Sequence, residues 1–177
     1  LKGGKTTVCD GIMVWKKLSN NTRDFFLSNP IIYNLEFEVI KNKNKKGKKI
    51  WPMTSLGSSN GIIDFDKGIL SVKQTRFAVT ESRIENQLCF SNHLQIIFDN
   101  EPQIKSHTLM NGEKIPKDIM QEVKEISDMY TYDIEWEKND LIMLDNKRFM
   151  HGRRSYSKDE KREIVNIQTL KANFSYG

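Results

Sequence analysis

Residues 31–40, IIYNLEFEVI, set Tyr33, Leu35, Phe37 and Val39 in alternation with Asn34, Glu36 and Glu38. Side chains of an extended chain point to opposite faces in turn, so a period of two predicts a strand with one face against a core. Such a strand cannot stand alone. Its backbone groups need neighbouring strands and its apolar face needs a second layer. The chain must therefore build a sheet, and the remaining segments decide what covers it.

Three segments read as helices. Asp10 can cap a helix running through Leu18, with Ile12, Trp15 and Leu18 near one face. A second covers Thr22–Leu27 and stops ahead of Pro30, because a residue before proline avoids the helical region. The third is longer: Pro116 opens PKDIMQEVKEISDMY, where Ile119, Val123 and Ile126 form an apolar stripe. In the middle, GSSNG and DFDKG read as turns, and ILSVKQTRFAV and IENQLCFS as strands. After the third helix come YDIEW, the turn EKND, an apolar strand LIMLD and a final strand REIVNIQTLKANF. No internal repeat is present. The expectation is one domain over residues 1–177, mainly β with flanking helices, most economically a jelly roll or related β-sandwich.

Composition removes several classes of function. The net charge of +5 invites a nucleic-acid reading, but residues 41–49, KNKNKKGKK, hold six lysines and leave the remainder nearly neutral. That run, between LEFEV and IW, reads as the solvated turn of a long β-hairpin rather than a basic face interleaved with aromatics. With 37% hydrophobic and 29% charged residues the chain is globular in character. No stretch approaches the roughly 18 apolar residues of a membrane span, and no signal peptide is evident, so a cytoplasmic location without membrane contact is expected. Cys9 and Cys89 are too few and too distant for a disulfide framework and read as buried small hydrophobes. The first residue is Leu, so the sequence reads as starting part-way along a longer polypeptide.

The chemistry concentrates in LDNKRFMHGRRSYSKDEKREI, residues 144–164. Two readings stand on the residues alone. The segment is a solvated basic loop, or His151 points into a barrel mouth with Arg162 beside it on the neighbouring strand. A neutral imidazole suits Fe(II), and a guanidinium forks onto a carboxylate with two parallel hydrogen bonds. A Cys89/His93 zinc pair lacks the second pair of ligands that a structural site needs. Trp15, Trp51 and Trp136 read as packing residues.

Residues 136–164 resemble the C-terminal motif of the taurine dioxygenase-like Fe(II)/2-oxoglutarate-dependent oxygenases. The matching positions are Trp136, Asn139-Asp140, Leu141–Leu144, Asp145-Asn146, His151-Gly152-Arg153 and Arg162. The start of the chain, LKGGKTTVCDG, resembles the family's Gly-Gly-x-Thr segment in Gly3, Gly4 and Thr6. The resemblance implies a double-stranded β-helix in which His151 is the distal histidine of a two-histidine, one-carboxylate iron site. It also implies that Arg162 grips the far carboxylate of 2-oxoglutarate and that Thr6 contacts the same cosubstrate. The implied reaction oxidises, by default hydroxylates, a C–H bond of a small molecule with dioxygen, while 2-oxoglutarate is decarboxylated to succinate. Phe90-x-Asn92 resembles a substrate-side segment of the family and equally fits a turn asparagine. Arg153 is a candidate for an anionic substrate or for bracing the histidine loop through Asp145.

One departure stands out. The family's His-x-Asp/Glu pair is absent: His93-Leu94-Gln95 and His107-Thr108-Leu109 both lack the carboxylate. In the family that pair lies upstream of the Gly-Gly-x-Thr segment, which here opens the chain. The expectation is therefore the C-terminal portion of an oxygenase fold, incomplete at the N-terminus, that supplies one of three iron ligands. The alternative is a metal-free or non-catalytic β-sandwich relative that acts as a binding protein. Substrate and oligomeric state are not written in the sequence.

Overall fold

The computed structural model of the chain describes residues 4–39, 46–53, 59–82, 86–92, 94, 104–155, 165 and 167, with backbone alone at 49–53, 59–60 and 104–105. Strand β1 (Thr6–Asp10) runs directly into helix α1 (Gly11–Lys17), and α2 (Asn20–Ser28) follows after a two-residue break. Then come β2 (Ile31–Glu38), β3 (Lys48–Met53), β4 (Ser59–Asp64), β5 (Ile69–Arg76), β6 (Val79–Glu81), β7 (Leu88–Phe90) and β8 (Ile104–Leu109). Helix α3 (Lys117–Met129), β9 (Thr131–Ile134) and β10 (Phe149–Arg153) complete the described elements. The architecture is thus mainly β with helices alongside, as the alternation at residues 31–40 requires.

The strands form a five-stranded sheet ordered β3-β4-β5-β2-β8, a three-stranded sheet ordered β10-β1-β9, and a β6-β7 ribbon. Every pairing is antiparallel. Helices α1 and α3 join them. Val14, Trp15 and Leu18 of the first helical segment, Phe26 of α2, Ile119 and Val123 of α3, Tyr33 of β2 and Phe90 of β7 share one buried cluster. At its centre the rings of Phe26 and Phe90 meet edge to face, their centroids 5.1 Å apart, the arrangement that the aromatic quadrupole favours.

Both short helices are capped as their sequences require. Asp10 Oδ1 accepts from the Ile12 N–H at the start of α1, and Ser19 Oγ accepts from the Thr22 N–H in α2. A side chain from another helix finishes the second cap. The Glu122 carboxylate of α3 accepts from the Ser19 N–H and hydroxyl and from the buried Thr22 hydroxyl. Burial pushes the Glu122 pKa up, but those three donors outweigh it and hold the carboxyl below its ordinary value.

The lysine hairpin is not observed. Residues 40–45 lie outside the described residues, yet the strands on either side do not pair with each other. All eight residues of β2 register against β5, from Ile31 opposite Arg76 to Glu38 opposite Ile69, and β8 occupies the other edge. With both edges of β2 filled, β3 pairs with β4 instead. Burial also fades along β2: Ile31, Ile32 and Tyr33 are buried, Leu35 packs on the margin of the core, and Phe37 is exposed.

Two further readings are corrected. Ser59–Gly61, read within a turn, begin β4, whereas DFDKG does turn between β4 and β5. The apolar run at residues 141–145 forms no strand, and Leu141 and Met143 are 86% and 66% exposed. Strands β9 and β10 flank β1 on opposite sides, so the connection that holds this run crosses from one edge of the sheet to the other. Of the final strand expected at residues 162–174, only residues 165 and 167 are described, both exposed.

The junction of β1 and α1 is tightly packed. The Gly11 N–H donates to the Arg148 carbonyl at 2.9 Å. A Cβ on Gly11 would lie 2.4 Å from the Phe90 carbonyl oxygen and 2.6 Å from that of Arg148. Both obstacles are backbone and cannot rotate away. Gly11→Ala is expected to destabilise the fold by about 1–3 kcal/mol or more, read as a lowered midpoint of urea unfolding. An unchanged midpoint would show that the strand and ribbon are not held this closely.

Candidate functional site

The three-stranded sheet gathers residues from opposite ends of the chain. Strand β1 lies between β9 and β10, with Thr6 opposite Arg153 and Ile134, and Val8 opposite His151 and Tyr132. Directly opposed residues in an antiparallel pair project from the same face, and successive residues from alternate faces. One face of the sheet therefore carries Thr6, Val8, Tyr132, Ile134, His151 and Arg153. The other carries Thr7, Cys9, Thr131, Met150 and Gly152.

Burial separates the two faces. Cys9 and Met150 belong to the core, and the Cys9 thiol donates to the Ser127 carbonyl of α3. Burial pushes the Cys9 pKa up, as expected of an inert small hydrophobe. Cys89 is likewise buried, and its pKa is pushed up to about 11. On the open face His151, Arg153 and Tyr132 are exposed, and Thr6, Val8 and Ile134 are half-buried. An exposed imidazole and guanidinium thus stand over a partly apolar floor.

Local sequence explains why the strands meet here. Gly4, at φ +64°, occupies a left-handed conformation that favours glycine, and its N–H donates to the Ser155 carbonyl. The Arg154 N–H returns a bond to the Lys5 carbonyl, so the β1–β10 pairing extends past the strand ends. Gly152 lies opposite Thr7, and a Cβ added there would sit 3.1 Å from Thr7 Oγ1. Gly4 is thus accounted for by its backbone angle and Gly152 by close approach.

Arg148 braces the segment that leads to His151. Its Nε and terminal nitrogen donate to the two oxygens of Asp10, at 3.2 and 2.7 Å. The same carboxylate caps α1. Burial would raise the Asp10 pKa, but the Arg148 fork and the Ile12 N–H together hold it below the ordinary carboxylate value. The turn before β10 closes on Asp145: its side chain accepts from the Lys147 N–H, and its carbonyl from the Arg148 and Phe149 N–H groups.

Trp136, read from sequence as a packing residue, has a polar task. Its indole N–H donates to Thr6 Oγ1 at 2.9 Å. The family motif marks this tryptophan, but no local periodicity pairs it with a threonine at the other end of the chain. Asn92 is in the turn after β7, where its amide donates to the Ala78 carbonyl and accepts from the Leu94 N–H, and the adjacent Ser91 hydroxyl donates to the Asn146 carbonyl. Arg162 and His93 lie outside the described residues. His107 sits in the five-stranded sheet opposite Tyr33, its pKa lowered by burial and then by Lys114. Among the described residues no three His, Cys, Asp or Glu side chains gather as a metal site. The described part of the face offers iron one imidazole and offers a dianion a hydroxyl and a guanidinium. The described residues do not make a complete iron site, and Arg162 is not among them.

Comparison with known proteins agrees with the motifs. The family model described as taurine catabolism dioxygenase TauD, TfdA family matches residues 1–168. A solved structure from Burkholderia xenovorans, proposed to be an alpha-ketoglutarate dependent 2,4-D dioxygenase, aligns with 86% of this chain and 50% of its own at 14% identity and a TM-score of 0.48. The chain thus spans half the length of that protein. No curated protein matches. Among the described residues no helix is long and apolar enough to cross a membrane.

The Asp10–Arg148 fork gives a prediction in pH. A carboxylate whose pKa is lower folded than unfolded contributes stability that is full above the unfolded value, about 3.9, and is lost as pH falls through the folded value. Asp10→Asn keeps an N-cap but removes the charge, and is expected to lose about 1–3 kcal/mol at pH 7. The gap from the parent protein should narrow as pH drops below about 4. Urea titrations at several pH values measure it, and a gap that does not depend on pH would count against the ion pair.

Proposed function

The chain belongs to the taurine catabolism dioxygenase TauD, TfdA family, and from that premise we propose that it is the C-terminal portion of an Fe(II)- and 2-oxoglutarate-dependent dioxygenase acting on a small molecule. The observation that carries the reading is the common face of the β10-β1-β9 sheet. The Gly-Gly-x-Thr threonine and the His-Gly-Arg histidine and arginine converge there from opposite ends of the sequence. We further propose that the sheets are parts of a double-stranded β-helix, within one domain over residues 1–177.

The roles follow from the chemistry of each group. His151 presents a ring nitrogen to a metal from a strand held in register by its backbone pairing with Val8. Thr6 donates its hydroxyl hydrogen to a carboxylate of 2-oxoglutarate, and Arg162 forks onto the distal one. Arg153, directly across from Thr6, adds positive charge that draws a dianion to the face. Val8 and Ile134 give that face an apolar floor, against which a polar contact is strengthened once water is displaced. Bound iron and 2-oxoglutarate would together supply the decarboxylation to succinate that is coupled to oxidation of a substrate C–H bond. The other two iron ligands would be a His-x-Asp/Glu pair that this sequence does not contain.

The test is succinate formation by the full-length protein with Fe(II), 2-oxoglutarate and dioxygen. Changes behind a metal ligand already cost about 10–100-fold, so His151→Ala should reduce turnover at least 100-fold or so. Normal turnover in His151→Ala would sink the reading. Binding of 2-oxoglutarate by the full-length protein without decarboxylation would point instead to the metal-free binding relative.

A further inference from the structure

We propose that Trp136 is a positioning residue for the cosubstrate: it fixes the Thr6 side chain so that the hydroxyl hydrogen, not the methyl group, is presented to a carboxylate of 2-oxoglutarate. The inference rests on the proposed function and extends it to a residue that touches neither metal nor cosubstrate.

The direction of the Trp136–Thr6 bond follows from elementary chemistry. An indole nitrogen carries a hydrogen and no available lone pair, so it can only donate. At 2.9 Å Thr6 Oγ1 must therefore be the acceptor. A hydroxyl has two lone pairs and one hydrogen, and accepting from Trp136 leaves that hydrogen to be directed elsewhere. Threonine has few χ1 wells, and turning from one to another exchanges the places of hydroxyl and methyl. An N–H anchored on Oγ1 selects the well in which the oxygen lies on the Trp136 side.

The anchor is itself held in place. Trp136 follows β9 by two residues, and the neighbouring Glu135 pairs with Lys5, the residue before Thr6. Two adjacent cross-links therefore join the entry of β1 to the exit of β9, one ionic and exposed, one between half-buried polar groups. Register does the rest. Thr6 and Ile134 are directly opposed, so the chain leaving β9 passes the Thr6 side chain.

The proposal predicts that Trp136 acts on 2-oxoglutarate affinity through Thr6. Calorimetric titration of the full-length protein with 2-oxoglutarate, without dioxygen so that no turnover occurs, measures it. Trp136→Phe keeps an aromatic ring but removes the donor, and should weaken binding about three- to tenfold, the range of one neutral hydrogen bond. In turnover it should raise KM for 2-oxoglutarate far more than it lowers kcat. Thr6→Val should weaken binding at least as much, and adding Trp136→Phe to Thr6→Val should cause no further loss. Thr6→Ser, which retains the hydroxyl, should bind close to the parent.

Two results would overturn the proposal: unchanged affinity in Trp136→Phe while Thr6→Val weakens binding, or losses that add in the double variant. If Trp136→Phe does not fold, the indole N–H signals of the full-length protein, those of Trp15, Trp51 and Trp136 among them, decide instead in a 15N–1H spectrum. One should shift when 2-oxoglutarate binds the parent protein and be displaced beforehand in Thr6→Val. An indole signal indifferent to both would refute the coupling. A parent protein that binds no 2-oxoglutarate at all would defeat the proposed function, and this inference with it. Binding that survives Thr6→Val unchanged would defeat only the Thr6–Trp136 assignment.

Discussion

The Asp10 carboxylate is where the separate parts of this molecule are tied together. It stands at the last position of β1, accepts the first free N–H of α1, and receives both prongs of the Arg148 guanidinium. A helix start, a strand end and the turn that launches β10 therefore share one side chain. Gly11, the next residue, closes the same junction with a backbone bond to Arg148 and with no room for a side chain. The position of His151 relative to Thr6 follows from this knot, because each lies on a strand that leaves it.

Local chemistry was legible in the sequence where the responsible residues are neighbours. The Asp10 cap, the buried trio Ile12, Trp15 and Leu18, and the stripe of α3 all appear as read, since caps and helical periodicity involve residues a few positions apart. The second helix starts two residues earlier than read, because its cap is Ser19 and a carboxylate from α3 supports it. That support comes from a distant segment and has no local signal.

Strand partnership was the least legible property. The alternation in β2 predicts a strand but does not say which strand adjoins it, and β5 wins over the adjacent β3 by matching its full length. The apolar run at residues 141–145 has the composition of a buried strand. In the fold it joins two opposite sheet edges without forming a strand, and Leu141, Ile142 and Met143 are exposed. Thr6, His151 and Arg153 could be named from motif resemblance, but their common face is a product of register and was visible only in the fold. Trp136 was named by the same motif, but its N–H bond to Thr6 joins residues 130 positions apart and has no local signal.

The central place of β1 has a kinetic consequence. Its two neighbours are drawn from the last third of the described sequence, so nearly the whole chain must be closed into a loop before Thr6 can face Arg153. Closure entropy rises only slowly with loop length, by roughly 0.6 kcal/mol per doubling, but contacts of high sequence separation still form late and slow the folding of β-rich chains. During synthesis β1 emerges long before β9 and β10 and cannot pair with either until they have left the ribosome. The face carrying Thr6 and His151 is thus among the last surfaces to assemble, and a chain arrested before β10 would present a bare strand edge to whatever else is nearby.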